Sequence, residues 1–206
     1  MTGRGPKEKE GDKWKMKGEA RRQIRREALA ARDALTDEQR ARGSLLMTER
    51  ILGHQWFYRS DIFLCFVSFG SEIDTHELIK EALRLGKRVY APKVTNMSEK
   101  PEMHFYRVTE LAGLVRGYRG IPEPAGDEEK YCYDPSEAEH TLLLMPGVAF
   151  DGYRNRLGYG KGFYDYFLAD KDALQFRTIA VGFKCQMVEE IPARGGDVKP
   201  CQVICF

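Results

Sequence analysis

Four short apolar runs constrain the fold of this chain more than any other feature. They are Ile62-Phe63-Leu64-Cys65-Phe66-Val67, Thr141–Met145, and residues 177–183 and 202–206. A strand with one face in water alternates apolar and polar residues; a strand covered on both faces does not, and such strands are typical of parallel sheets flanked by helices. Helix-forming segments separate the runs. Residues 16–35 are rich in helix formers and carry a narrow stripe of Ile24, Ala28, Leu29 and Ala31. Thr36 precedes Gln39 at capping-box spacing, predicting a second helix through about His54. Asp74 and Glu77 repeat that spacing before a helix that ends near Gly86, and Arg88–Ala91 reads as a short strand stopped by Pro92. Between residues 95 and 140 the pattern is less regular, with a strand at His104–Val108 and an extended Gly120–Pro124. A last helix is expected from about Gly162 to Ala169. The expectation is an α/β fold: a single-domain, open, mostly parallel sheet with helices on both faces. Residues 16–206 would form the domain, and the polar residues 1–15 a disordered basic tail.

Composition removes several function classes. At 206 residues, the chain is long enough to bury a core without disulfides or structural metal. No window approaches the roughly 20 apolar residues of a membrane span, and no apolar segment follows the charged start as in a secretory signal. A cytoplasmic location is expected. The cysteines (65, 132, 185, 201 and 205) include no CxxC pair, which argues against both a disulfide framework and a zinc site. His54, His76, His104 and His140 are scattered and lack metal-ligand spacing. Residues 1–26 hold ten Lys or Arg against four Asp or Glu, a local +6 in a chain of net +2. That arm suits nucleic acid, an anionic substrate, or only solvent.

The chemistry is concentrated in Pro146–Asp165, PGVAFDGYRNRLGYGKGFYD, which follows an apolar run and precedes a helix. The carboxyl end of a sheet strand is where open α/β sheets bind ligands. Gly158, Gly160 and Gly162 alternate there, at an entropic cost that is tolerated where a ligand must approach the main chain. Backbone N–H groups, Arg156 and Lys161 converge on the same stretch and suit a polyphosphate. The spacing matches neither GxxxxGK[ST] nor GxGxxG. A glycine-rich surface turn has the same composition. Asp165 suits either the helix dipole or a Mg²⁺ ion shared with phosphate oxygens. Phe163, Tyr164, Tyr166 and Phe167 suit either stacking on a ligand or anchoring a helix to its sheet.

The stretch LMPGVAFDGYRNRLGYGKGFYDYFL closely resembles the signature of the 5-formyltetrahydrofolate cyclo-ligase family, and the similarity extends from about Lys17 to Ile204, through SFGSEIDTHELI, GIPEP and the late Asp-Val-Lys. The resemblance implies an ATP-dependent ligase that phosphorylates the formyl oxygen of its folate and forms 5,10-methenyltetrahydrofolate. It assigns ATP binding to Arg21, Arg25 and the loop Arg156, Leu157, Gly158, Tyr159, Gly160, Lys161, Gly162, Phe163 and Tyr164. It assigns folate binding to Val67, Glu72 and Tyr159 through Phe163, and Mg²⁺ to Asp165 and Asp197. Arg156 and Lys161 would be the catalytic cations. Three departures stand out: the family often has lysine at the place of Arg21, tyrosine at that of Phe163, and an acidic residue soon after Asp197. ATP and a reduced folate are the expected partners, with nucleic acid and membrane not expected, and a monomer favoured. A sugar-phosphate or nucleotide-sugar enzyme, and a nucleotide- or RNA-binding module without turnover, are the rival readings.

Overall fold

In the computed structural model of the chain the described residues are 10–97 and 100–206, with side chains from residue 15 onward. The expected disordered tail therefore lies partly outside the described residues. Its last part, residues 10–15, is helical, because helix α1 runs Glu10–Asp33 and starts earlier than Met16. Helix α2 (Asp37–Leu52) opens with the expected capping box. Gln39 N donates to Thr36 Oγ1 at 3.1 Å and Thr36 N to Gln39 Oε1 at 2.9 Å. A short helix α3 (Gln55–Arg59) follows, capped by His54, whose Nδ1 accepts from Trp56 N.

The central sheet has six strands. Strand β1 (Ile62–Cys65) pairs in parallel with β2 (Arg88–Asn96) on one side and β6 (Thr141–Met145) on the other. Beyond β6 lie β9 (Thr178–Gly182) and β11 (Gln202–Cys205), both parallel. The far edge is β3 (Glu102–Val108), antiparallel to β2, so the spatial order is β11-β9-β6-β1-β2-β3. Helix α4 (His76–Arg84) connects β1 to β2. A two-stranded hairpin, β4 (Val115–Arg116) and β5 (Pro122–Glu123), interrupts the middle. Strands β7 (Ala149–Asp151), β8 (Arg156–Leu157) and β10 (Met187–Val188) form a small three-stranded sheet. Helices α5 (Phe163–Leu168) and α6 (Asp172–Gln175) complete the fold.

The continuous apolar runs are explained by two cores. Phe63, Cys65, Leu142, Leu144, Ile179 and Val181 face one side, against Met47 and Ile51 of α2 and Leu78, Ile79 and Ala82 of α4. Ile62, Leu64, Leu143, Met145 and Ala180 face the other, against Phe167 and Leu168 of α5 and Leu174. Burying each Val, Leu, Ile, Phe or Met side chain among them stabilises by about 1.5–3 kcal/mol. The stripe of α1 is buried elsewhere: Ala28, with Ile24 and Leu29, packs on Val148, Ala149, Leu157 and Ile191 beside the small sheet. The catalytic-looking loop is thereby clamped under α1.

Three local expectations are corrected. Strand β1 stops at Cys65, short of Val67, because Thr75 replaces a neighbouring strand as hydrogen-bond partner. Its Oγ1 donates to Phe66 O at 2.8 Å and accepts from Ser68 N at 3.1 Å. Asp74 and Glu77 do not form a capping box. Thr75 is the N-cap residue, Asp74 accepts from His76 N, and Glu77 pairs with Lys80. Strand β2 continues through Pro92, since β1 pairs only as far as Tyr90 and the missing N–H breaks no ladder on that side.

Candidate active site

The strand order reverses between β1, whose chain moves out to β2, and β6, which lies on the other flank. Strands diverging this way open a crevice at their carboxyl ends. Here the crevice is narrow, with no room for a water molecule until its walls part, and is lined by Arg32, Phe66, Glu72, Ile73, Pro146, Gly147, Val181 and Gln186. Gly147 lies two residues past the end of β6, and a Cβ there would stand 2.4 Å from the Phe150 ring, so the close approach of backbone to core requires glycine. Gln186, buried, holds the rim by donating to Gly147 O at 2.8 Å and Val148 O at 3.0 Å.

The triple-glycine loop runs over this crevice from β8 to α5. Gly160 (φ 102°) and Gly162 (φ 74°) lie in the left-handed region, whereas Gly158 does not. Arg25 Nε donates to Gly158 O at 2.7 Å, and a Cβ on Gly160 would approach the Arg25 guanidinium to 3.6 Å. Arg21 clasps Asp197 with both nitrogens, at 2.5 and 3.1 Å, and donates to Pro192 O at 3.0 Å. Burial first, then the charge of Arg21, lower the Arg25 pKa from its ordinary value; Arg194 and Arg22 add to this, and Asp197 opposes it. The corner carries more positive than negative charge, which favours an anion. A groove of about 380 Å³ lined by Lys15, Lys17, Gly18, Glu19, Arg21, Arg22 and Arg194, five cations against one anion, continues that surface outward.

On the other side of the loop, Arg156 is buried and donates to Asp165 Oδ1 at 3.2 Å and to Pro146 O at 3.3 Å. Asp165 Oδ1 also accepts from Val198 N at 3.1 Å, which brings the stretch after Asp197 beside the loop. Lys161 is exposed and pairs with no carboxylate among the described residues. Leu157 is fully buried and belongs to the core. The aromatic cluster is mostly an anchor: Tyr164 and Phe167 pack on Phe105, Phe163 meets Tyr118, and Tyr166 is half exposed. Val67 is buried in the α2/α4 core, and its neighbour Phe66 lines the crevice.

Glu72, also buried, joins the loop to the crevice. Tyr159 donates its hydroxyl to Glu72 Oε1 at 2.8 Å, and Phe69 N donates to Oε2 at 3.3 Å. Burial pushes the Glu72 pKa up against the opposing effects of Tyr159 and Arg32, and burial with the Glu72 charge pushes the Tyr159 phenol up, so Tyr159 remains a donor. Arg32 meets the same hydroxyl at 3.1 Å and Ser71 Oγ at 2.9 Å.

Residues 17–205 match the family model described as the 5-formyltetrahydrofolate cyclo-ligase family. The chain belongs to that family. Among its relatives, the 5-formyltetrahydrofolate cyclo-ligase of Mus musculus is 32% identical over 90% of this chain and 93% of its own length. That of Escherichia coli (strain K12) is 31% identical over 81% of this chain and 90% of its own. A solved 5,10-methenyltetrahydrofolate synthetase from Aquifex aeolicus superposes with a TM-score of 0.72 at 29% identity, covering 87% of this chain and 86% of that one. The cyclo-ligase family acts on folate with ATP as cosubstrate, and no described helix is long and apolar enough to cross a membrane.

Within this cyclo-ligase fold the glycine loop is linked by hydrogen bonds to Arg25 on one side and to Glu72 in the crevice on the other, Arg21 pairs with Asp197, and Arg156 and Val198 N both bond Asp165. Two supporting residues were not singled out from the sequence. Asp151, buried at the end of β7, accepts from the backbone of Tyr153, Asn155 and Ile191 and so shapes the turn before Arg156. Arg32 was missed although helical spacing contained the signal: Arg21, Arg25, Ala28 and Arg32 are four, three and four residues apart, the repeat of one helix face.

Proposed function

We propose that this chain converts 5-formyltetrahydrofolate to 5,10-methenyltetrahydrofolate with consumption of ATP and release of ADP and phosphate. One observation carries the reading. Through two adjacent residues the glycine loop touches both halves of the site, since Gly158 O accepts from Arg25 in the cationic corner and Tyr159 donates to Glu72 in the crevice. A nucleotide's phosphates and a pterin held at these two places share a single backbone segment between them.

The chemical obstacle is that a formamide oxygen leaves poorly. The formyl oxygen attacks the γ-phosphorus of ATP, and the bond to the β–γ bridging oxygen breaks to give ADP. N10 of the folate then attacks the activated carbon and loses its proton, and the carbon–oxygen bond breaks as phosphate departs. No covalent enzyme nucleophile is needed, so positioning and charge neutralisation carry the catalysis. Arg25, Lys161 and the loop amides around Gly158–Gly162 bind the phosphates, Arg156 orders the loop and adds charge at the transferring group, and Arg21 is set by Asp197. Glu72 accepts from N–H groups of the pterin. Leu157, Phe163 and Tyr164 hold the loop by packing, and Val67 backs the folate pocket through Phe66.

The donor set fits a Mg²⁺ ion, which prefers one or two carboxylates completed by phosphate oxygens and water. Asp165 engages Arg156 and Val198 through Oδ1, while its Oδ2 lies toward Gly162 in the phosphate loop. Asp197 commits both oxygens to Arg21 and to Arg194 N, so it joins such a site only by releasing Arg21. When bound, the ion supplies neutralisation of phosphate charge.

A nucleic-acid module is disfavoured by the inward turn of its best candidates: Arg21 is buried on Asp197 and Arg25 is bonded to the loop. We also place the enzyme in the cytoplasm, a reducing compartment that suits five unpaired cysteines. The deciding experiment follows methenyltetrahydrofolate absorbance from 5-formyltetrahydrofolate with and without Mg-ATP. Product in the presence of nucleotide alone is expected; no product, or product without ATP, sinks the reading.

A further inference from the structure

Arg32 lies outside every assignment made so far, yet it is built like a ligand-binding group. It is only 4% exposed, it lines the crevice beside Glu72, Pro146 and Gly147, and it is fixed on two sides by Ser71 and Tyr159. Its remaining terminal nitrogen, Nη1, is buried without a hydrogen-bond partner among the described residues. A buried guanidinium donor left unpaired forfeits its hydration without a replacement, so natural structures rarely retain one without a use. Two other buried groups near the glycine loop, Arg156 Nε and the Tyr164 hydroxyl, also lack a partner among the described residues, and their side chains meet in a cation–π contact of 5.3 Å.

Its neighbours indicate what Nη1 is for. Tyr159 OH bridges the two side chains, standing 2.8 Å from Glu72 Oε1 and 3.1 Å from Arg32 Nη2, so a carboxylate acceptor and a guanidinium donor are presented side by side. A pterin carries the complement on one edge: the 2-amino group and N3–H donate, and the adjacent C4 carbonyl accepts. We propose that Arg32 Nη1 donates to the C4 carbonyl oxygen of the folate's pterin while Glu72 accepts from the neighbouring N–H groups, making Arg32 the residue that selects 4-oxo over 4-amino pterins. This rests on the folate reading above. In a 4-amino analogue the group at C4 is a donor and N3 has lost its hydrogen, so donor faces donor at Arg32 and Glu72 loses a partner. Because Arg32 is tied to Tyr159, pairing at C4 also steadies the glycine loop over the bound pterin.

The test compares binding of 5-formyltetrahydrofolate and its 4-amino-4-deoxy counterpart to wild type, Arg32→Met and Arg32→Lys, by calorimetry, beside turnover and ATP affinity. Wild type must first convert the folate with ATP; if it does not, the folate reading itself fails. For an active wild type, Arg32→Met should weaken the 4-oxo ligand about 10- to 100-fold, the scale of one hydrogen bond from a charged group. The 4-amino ligand should change little, so the preference between them collapses. Arg32→Lys, which keeps charge but not the planar fork, should recover only part of the preference. ATP affinity within about twofold of wild type confirms a folded variant. A purely structural role weakens both pterins equally. That outcome, or an unchanged preference in either variant, overturns the proposal.

Discussion

The two halves of the site use arginine in opposite ways. On the two sides of the glycine loop, Arg21 and Arg156 are each ion-paired with a carboxylate, Asp197 and Asp165, before any ligand arrives, although Arg156 Nε has no partner among the described residues. In the crevice, Arg32 has no ion pair among the described residues, reaches Glu72 only through the Tyr159 hydroxyl, and keeps a terminal donor unpaired. A paired buried arginine is mainly a fixed strut, because most of its charge is already answered. An unpaired donor is held ready for a ligand atom. Lys161 differs from both, being an exposed charge unpaired with any described carboxylate.

The largest expected effect comes from breaking a strut. Arg156→Ala leaves Asp165 without its cation, and loss of one partner of a largely buried pair should cost on the order of 3 kcal/mol. Turnover should also fall, on the order of 10²-fold or more, because a loop that has lost its strut misplaces the groups that hold the transferring phosphoryl. Urea unfolding and steady-state kinetics on the same preparation read both losses. Wild-type stability would show that the pair is not structural.

Lys161→Ala separates charge from scaffold. A similar fall, about 10²–10³-fold in turnover, is expected with stability changed by less than about 0.5 kcal/mol, since the side chain is exposed. Equal losses of stability in the two variants would erase the contrast between strut and exposed charge.

Glu72→Gln examines the crevice by pH. Burial raises the Glu72 pKa in the folded protein, so the folded state binds its proton more tightly than the unfolded chain does. Stability linked to this group is full below the ordinary glutamate value of about 4.3 and is lost as pH rises through the raised folded value. The amide variant should therefore lose this downward slope while weakening folate binding. An unchanged stability–pH profile would show that Glu72 is not the group responsible. The smallest effect is expected from Gly160→Ala, where the left-handed φ of 102° costs a side chain about 1–2 kcal/mol and the new Cβ only grazes Arg25. A modest rise in KM for ATP, with a small fall in unfolding temperature, is the measurable outcome.

Much of this could be read directly. The glycine loop was legible because three alternate glycines beside Arg156 and Lys161 have a local meaning, and the parallel sheet was legible because Thr141–Met145 shows no polar alternation. Boundaries were harder. The end of β1 depends on Thr75, ten residues away from Cys65, and the persistence of β2 through Pro92 depends on where β1 stops pairing. Arg32 escaped notice for a similar reason. In sequence it is one of many arginines on a basic helix, and only the crevice distinguishes it from exposed Arg22 or Arg26.

By itself, then, the sequence determined the layered α/β architecture, the capping box at Thr36 and the family, because hydrophobic periodicity, cap chemistry and glycine spacing act over a few residues. Tertiary structure alone decided which cations are struts and which are free. Asp197 reaches Arg21 across 176 positions and Glu72 reaches Tyr159 across 87. The pairing and burial of a charge depend on such distant neighbours, and no local pattern encodes them.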